Sequence, residues 1–328
     1  MLYDVLKKYK ASANLTSENT VHGISWHMTN FDVESKYWII ETSIGRGAIT
    51  IPDVAIITNV APVHLTENQT IEVIARAKSR IFDTMSEGKT AIIYRETECF
   101  DIFYNAAMQK KLNIITVGES ADSTVKINGN SIQIRDKIYN LGNEFIAKHL
   151  IIDMALALAT VNVFGENTDT AVQELLNFKE LTGRGETFEG NIQPNKKITL
   201  VDESYNANPL SMQATLKAFA EKYKDRNKVL ILGDMAEGGK ESDKQHFELI
   251  DSIKTINPKK IILVGKSMPK IAEKLENTEI FEDCLELNKN LLRFINDGDA
   301  VFIKSSHSVG LYKTVNIIKN FMNNFKSI

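Results

Sequence analysis

The sequence predicts an α/β protein of two domains, each built on an open, mostly parallel sheet. Three observations lead there. Short apolar runs of strand type alternate with amphipathic stretches of helical period along the whole chain. That alternation occurs twice, on either side of a Gly183-Arg-Gly185 break, and strand–helix alternation is how parallel sheets with crossover helices read in sequence. At 328 residues and 43% hydrophobic content, the chain can fill two cores. The expected domains are 1–181 and 182–328.

In order, the pattern predicts a helix at 2–9, strands near 37–41 and 53–58, a helix at 70–86 and a strand at 90–94. A helix at 99–111 and a short strand at 113–117 follow. Residues 122–142 alternate at period two around an Asn-Gly pair, the mark of a small hairpin insert. Helices at 149–164 and 169–178 close the first domain. The second has strands at 197–202, 228–232, 260–264 and 300–303, separated by helices. Glycines at 183 and 185 permit backbone angles other residues resist, so the hinge between domains is expected there.

Composition excludes several function classes. A net charge of −3 with scattered Lys and Arg argues against nucleic acid and against an anionic membrane surface. No run approaches the roughly 18 apolar residues of a membrane helix, and the N-terminus lacks a signal-peptide core. The two cysteines, Cys99 and Cys284, lie far apart without metal-type spacing, so a reduced, cytoplasmic setting is expected.

One residue breaks its local pattern. Ile71, Ile74, Ala75, Ile81, Phe82 and Met85 form an apolar helix face, and Lys78 falls in the middle of it, while Arg76 and Arg80 fall on the polar side. An inward lysine loses hydration, its pKa drops, and a neutral amine becomes available. The alternative is a lysine that snorkels out along the face. Upstream, two apolar strands lead to Glu41 and to His64, and parallel strands would deliver both at their carboxyl ends, where open sheets bind ligands.

Two glycine loops mimic phosphate loops. Gly88-Lys89-Thr90 is preceded by a helix and followed by a strand, the reverse of the order that points amides at phosphate. The run Gly233 to Lys240 follows a strand, but Glu241 stands where Ser or Thr is required.

Glu41, Thr58-Asn59 through His64, and Ala77-Lys78 together resemble the central domain of the Mur ligases, ATP-dependent amide-forming enzymes of cell-wall assembly. The run Asp202-Glu203-Ser204-Tyr205-Asn206-Ala207-Asn208-Pro209, the run Gly233-Asp234-Met235-Ala236-Glu237, His246 and the Gly183-Arg184-Gly185 break resemble that family's C-terminal part. The likeness is strongest to the branch that adds D-alanyl-D-alanine. It implies a truncated central ATPase domain followed by a Rossmann-like C-terminal domain. It also implies ATP and Mg2+ as cofactors, a carbamate on Lys78, and Glu41, His64 and Lys78 as metal-holding catalytic residues. Arg184, Asp202, Glu203, Asn206, Asn208 and Asp153 would hold the nucleotide. Asp234, Glu237, Lys304 and His307 would meet substrate. A helix-capping account explains one of Asn206 and Asn208 but not the whole run.

The chain departs from the family pattern in places. It begins with what resembles the helix after the Gly-x-x-Gly-Lys-Thr phosphate loop, so that loop and the domain gripping UDP-muramoyl substrate are expected to be missing, or supplied by a separate chain. Alone it is expected to bind ATP weakly and turn over poorly. Asp153 stands where the family reads adenine with Asn, and Lys304-Ser305-Ser306-His307 where it has Lys-Gly-Ser-Arg. Glu203 replaces Asp, and Gly238 replaces Leu. Glu41-Thr-Ser-Ile-Gly-Arg46-Gly47 resembles cyanophycin-type or polyglutamate-type relatives. The partners expected are a small-molecule or peptide carboxylate and an amine. The competing class is a non-catalytic Mur-like scaffold, for which an inward lysine has no use.

Overall fold

The computed structural model describes residues 1–14, 19–43, 49–60, 70–142, 146–178, 182–236 and 242–325. Two compact units divide the chain, Met1–Phe178 and Lys179–Ile328.

Unit 1 opens with α1 (Leu2–Leu6), a 3-10 turn and β1 (Ala11–Ala13). Next come α2 (Val21–Asn30), whose Thr20 cap accepts from the Gly23 amide, and β2 (Tyr37–Ile39). Then follow β3 (Val54–Ile57), α3 (Ile71–Ser79), β4 (Thr90–Tyr94), α4 (Phe100–Gln109) and β5 (Asn113–Gly118). The meander β6 (Val125–Asn128), β7 (Ser131–Ile134) and β8 (Lys137–Asn140) leads to α5 (Lys148–Val163) and α6 (Thr168–Leu176).

The main sheet runs in the order β3-β4-β5-β6-β7-β8, parallel from β3 to β6 and antiparallel beyond. The expected hairpin therefore has a third strand and extends the sheet. Helices α3 and α4 cover one face, where Ile74, Ala75, Phe82, Met85 and Phe103 are buried. On the other face α5 buries Ile151 and every residue from Met154 to Val161, with α6 packed against it, while Lys148, His149 and Asp153 stay on the exposed side of its first turns.

Two expectations fail here. The strand after α1 is β1, and the Glu41 strand, β2, pairs with it in a separate two-stranded parallel sheet rather than joining β3. Three-residue strands such as β1 carry too little pattern to be read alone. The Lys78 helix also ends sooner, at Ser79, and tightens into a 3-10 turn through Phe82 that still delivers Phe82 and Met85 to the core.

Unit 2 contains β9 (Glu186–Gln193), β10 (Lys196–Glu203), α7 (Pro209–Lys222), β11 (Lys228–Gly233), α8 (Ser242–Phe247) and α9 (Ile250–Ile256). It continues with β12 (Lys260–Val264), β13 (Thr278–Phe281), α10 (Cys284–Asn290), β14 (Ala300–Lys304) and α11 (Leu311–Asn324). Sheet order is β13-β12-β11-β14-β10-β9, parallel except for the antiparallel edge strand β9. Residues of α7 and α9 pack on one face, and those of α10 and α11 on the other. The unforeseen strands β9 and β13 both lie at sheet edges, where one-sided burial leaves few apolar residues to read. The chain crosses from β10 to β11 and returns with β14 between them, so three neighbouring strands end side by side.

Among the described residues no helix is long and apolar enough to cross a membrane.

Candidate functional site

The first group of residues lies in unit 1. Lys78 sits on α3 and is half-buried, between the inward placing its position in the stripe suggests and the snorkelling alternative. Loss of hydration lowers its pKa from the ordinary lysine value, and the charge of Glu41 acts in the opposite direction. Glu41 is thus in electrostatic reach of Lys78, on an exposed turn just beyond β2. That turn is fixed by Asn14, whose side chain donates to the Glu41 carbonyl (3.0 Å) and accepts from its amide (2.7 Å). Asn19 donates to Glu41 Oε1 at 3.2 Å and is itself held by the Ser43 amide and hydroxyl. Neither asparagine stood out in the sequence, because each gains meaning only from a partner more than twenty residues away. His64 lies outside the described residues.

Asp153, on α5, exposes much of its surface, yet its carboxyl is crowded by protein atoms. Desolvation raises its pKa to about 6, with the Met1 ammonium pulling the other way. Gly88-Lys89-Thr90 is no phosphate loop: Gly88 sits in a turn at φ +82°, Lys89 pairs with Asp53, and Thr90 starts β4.

The second group gathers at the carboxyl ends of β10, β14 and β11. Gly183 and Gly185 both have positive φ, +76° and +99°. The Gly185 amide donates to Asp202 O at 2.8 Å, and the Tyr205 amide donates to Gly183 O at 3.0 Å. The glycine loop is thereby bonded into unit 2 rather than standing free as a linker. Between the glycines, Arg184 lies over the Tyr205 ring at 4.3 Å. The Tyr205 ring neighbours His307 at 6.1 Å, and His307 stacks on Tyr312 at 4.8 Å and 6°. These rings make a continuous ladder of cation and aromatic faces, to which Tyr205 and Tyr312 are additions the sequence did not single out.

The same strand ends hold a buried ion pair. Lys304 Nζ reaches Glu203 Oε2 at 3.1 Å and Asn206 O at 3.1 Å. Glu203 is raised above the ordinary carboxylate pKa because desolvation outweighs the opposing pull of Lys304. The other predicted nucleotide and substrate residues carry local architecture. Asp202 Oδ1 accepts from the Ser204 amide and hydroxyl. Asn206 Oδ1 accepts from the Ala207 amide. Asn208 caps α7 in a reciprocal capping box with Ser211, ahead of Pro209. Asp234 accepts three backbone amides, from Lys266, Ser267 and Met268, which leaves little of its carboxylate for a substrate. His246 Nε2 accepts from the Met235 amide, while Nδ1 meets Ser242 O. Ser306 ties all three strand ends together, accepting from Ala236 N, donating its hydroxyl to Ala207 O and its amide to Asp234 O. Glu237 and Gly238 lie outside the described residues.

As to a metal, no three His, Cys, Asp or Glu side chains converge among the described residues. Magnesium asks for less than that, one or two protein carboxylates completed by water and phosphate oxygens. Glu41, with one oxygen engaged by Asn19, supplies such a carboxylate.

The family model described as "Mur ligase middle domain" matches residues 2–161, and "Mur ligase, glutamate ligase domain" matches residues 183–307. The UDP-N-acetylmuramoyl-tripeptide–D-alanyl-D-alanine ligase of Rickettsia prowazekii is 26% identical over 317 residues, covering 90% of this chain and 69% of that protein. Its Escherichia coli counterpart is 25% identical, covering 83% of this chain and 61% of that protein. The chain thus spans well under three quarters of the length of these relatives. MurF of Acinetobacter baumannii shares the fold at TM-score 0.83 and 19% identity, over 97% of this chain and 73% of that one. MurF of Thermotoga maritima in complex with ADP gives 0.81 and 21%, over 98% and 76%. With matches to both Mur domains in the order the two units occupy, the chain belongs to the Mur ligase family.

Proposed function

We propose that the chain is the central and C-terminal portion of an ATP-dependent carboxylate–amine ligase of MurF type, acting on peptidoglycan precursors. The observation that carries this reading is Lys78, a lysine kept short of water within the field of Glu41. A scaffold gains nothing from that arrangement, which costs stability at neutral pH. The lowered pKa favours the neutral amine that adds carbon dioxide, and the resulting carbamate offers oxygens to magnesium beside Glu41. His64 completes this set in the proposal. Bound magnesium would offset charge on the transferring phosphoryl group.

In unit 2, Arg184 supplies a planar cation for phosphate or acyl phosphate, backed by Tyr205. The Lys304–Glu203 pair, whose lysine also holds the Asn206 carbonyl, lies within electrostatic reach of Arg184. Asp153 would read adenine. With its pKa near 6, the neutral acid can donate to a ring nitrogen while accepting from the amino group, as an amide does. His307, in place of a permanently charged arginine, leaves the identity of the amine less constrained than in the relatives. A cytoplasmic setting suits these substrates.

Within residues 1–328 no Gly-x-x-Gly-Lys-Thr loop precedes a helix. ATP binding by this chain alone is accordingly expected to be weak, since oriented amides and a lysine for the γ-phosphate are not replaced elsewhere among the described residues. The test is phosphate release with magnesium ATP, UDP-muramoyl tripeptide and D-alanyl-D-alanine at high protein concentration. Slow, amine-dependent release that vanishes in Lys78→Ala supports the proposal. Release that ignores the amine, or survives the substitution, counts against it.

A further inference from the structure

Thr97 is 4% exposed on the turn after β4, and its hydroxyl has two partners on the turn after β3. It accepts from the Val60 amide at 2.9 Å and donates to Asn59 Oδ1 at 3.2 Å. The orientation is dictated by donor arithmetic. A threonine hydroxyl has one proton, and Asn59 Oδ1 is the acceptor it meets among the described residues. The Asn59 carboxamide therefore turns its oxygen inward and its NH2 outward. Asn59 is exposed, and its NH2 meets no partner among the described residues. An oriented, unused pair of donors thus stands at the carboxyl end of a parallel strand, where open α/β sheets receive ligands.

The surroundings narrow the class of ligand. Glu98 is exposed on the same turn as Thr97; Arg95 is drawn away to Asp122 at 3.2 Å, and Glu96 turns to Ser120, accepting from its amide at 2.8 Å and its hydroxyl at 2.7 Å, so the local charge left on this turn is that of Glu98. Such a rim disfavours a bare anion and accepts one whose charge a divalent cation has neutralised. We infer that Asn59 donates to a phosphate oxygen of a magnesium-bound nucleotide, and that Thr97 is the positioning residue that aims it. This rests on the nucleotide-binding reading above and names residues that reading does not use.

The test is heteronuclear NMR of the full chain titrated with magnesium ADP, following the Asn59 side-chain NH2 and backbone amides of unit 1. The wild type and T97S, which keeps the hydroxyl, should both show the NH2 signals moving with a common dissociation constant. T97V and N59A should each weaken binding about tenfold, the loss expected for one hydrogen bond to a charged oxygen. Inorganic phosphate without magnesium should leave the NH2 unmoved. If T97V does not fold, N59A and T97S still decide the matter. Movement of unit 1 amides with a silent Asn59 NH2, or a T97V titration equal to wild type, overturns the inference and leaves the nucleotide reading standing. An equal response to bare phosphate overturns the magnesium requirement. If nothing in the wild type moves, the nucleotide reading falls and this inference with it.

Discussion

The Lys304–Glu203 pair makes an asymmetric prediction about stability. Lys304 has 3% side-chain exposure and Glu203 11%, so the pair sits in protein rather than water. Replacing one member of a buried pair strands the other charge, at about 3–5 kcal/mol, whereas replacing both with apolar residues is near neutral or stabilising. The stranded group can escape by changing protonation. For lysine that means giving up a proton more than three pKa units below its ordinary value at pH 7, at about 5 kcal/mol. For glutamate it means taking up a proton, at about 4 kcal/mol from the ordinary value, and burial has already raised Glu203 part of the way even with Lys304 present. Glu203→Leu should therefore cost about 3–5 kcal/mol and Lys304→Met nearer 2, with the double variant within about 1 kcal/mol of wild type. Both tryptophans, Trp26 and Trp38, belong to unit 1, so unit 2 carries no indole reporter of its own. Hydrogen exchange at β10 and β14 amides in a denaturant series reads the change. Additive single costs, or a Lys304→Met penalty larger than that of Glu203→Leu, would refute the reasoning.

Three further outcomes follow from the same structure. The raised pKa of Asp153 means the folded protein holds its proton more tightly than the unfolded chain, so that contribution is present below about pH 4 and lost as pH rises through about 6. Asp153→Asn should raise the melting temperature at pH 7 but not at pH 3.5, and should flatten a nucleotide affinity that otherwise declines through pH 6, measured by calorimetry. Lys78 has the opposite sign: its lowered pKa makes the charged form costly in the fold, so Lys78→Met should melt higher at pH 7 while losing phosphate release, and equal or lower stability would contradict its desolvation. Gly183→Ala would place a Cβ 3.0 Å from Tyr205 N at a φ of +76°, so a loss of about 1–3 kcal/mol is expected, with loosened Arg184 read as altered nucleotide-dependent protection of the Tyr205 amide.

The residues show what sequence could and could not convey. Lys78 was legible because a lysine inside an apolar stripe violates helical periodicity, and the eight-residue run from Asp202 to Pro209 because so long a motif has few coincidental matches. The sheets followed from repeated strand–helix alternation. What stayed hidden depends on partners distant in the chain. Asn14 and Thr97 are ordinary polar residues until the fold sets them against Glu41 and Asn59. Asp234 reads in sequence as a substrate group, and only the fold shows that the amides of Lys266, Ser267 and Met268 also converge on its carboxylate. Strands β1, β9 and β13 are short or lie at edges, with too few buried side chains to print a pattern.

The claim that this chain activates a carboxylate as an acyl phosphate is tested most directly by isotope transfer. UDP-muramoyl tripeptide with its terminal carboxylate labelled with oxygen-18 is incubated with the chain, magnesium ATP and D-alanyl-D-alanine, and the released phosphate is analysed by mass spectrometry. The account predicts one labelled oxygen in each phosphate formed, dependent on Lys78. Phosphate that carries only unlabelled oxygen, or label that persists in Lys78→Ala, would contradict it.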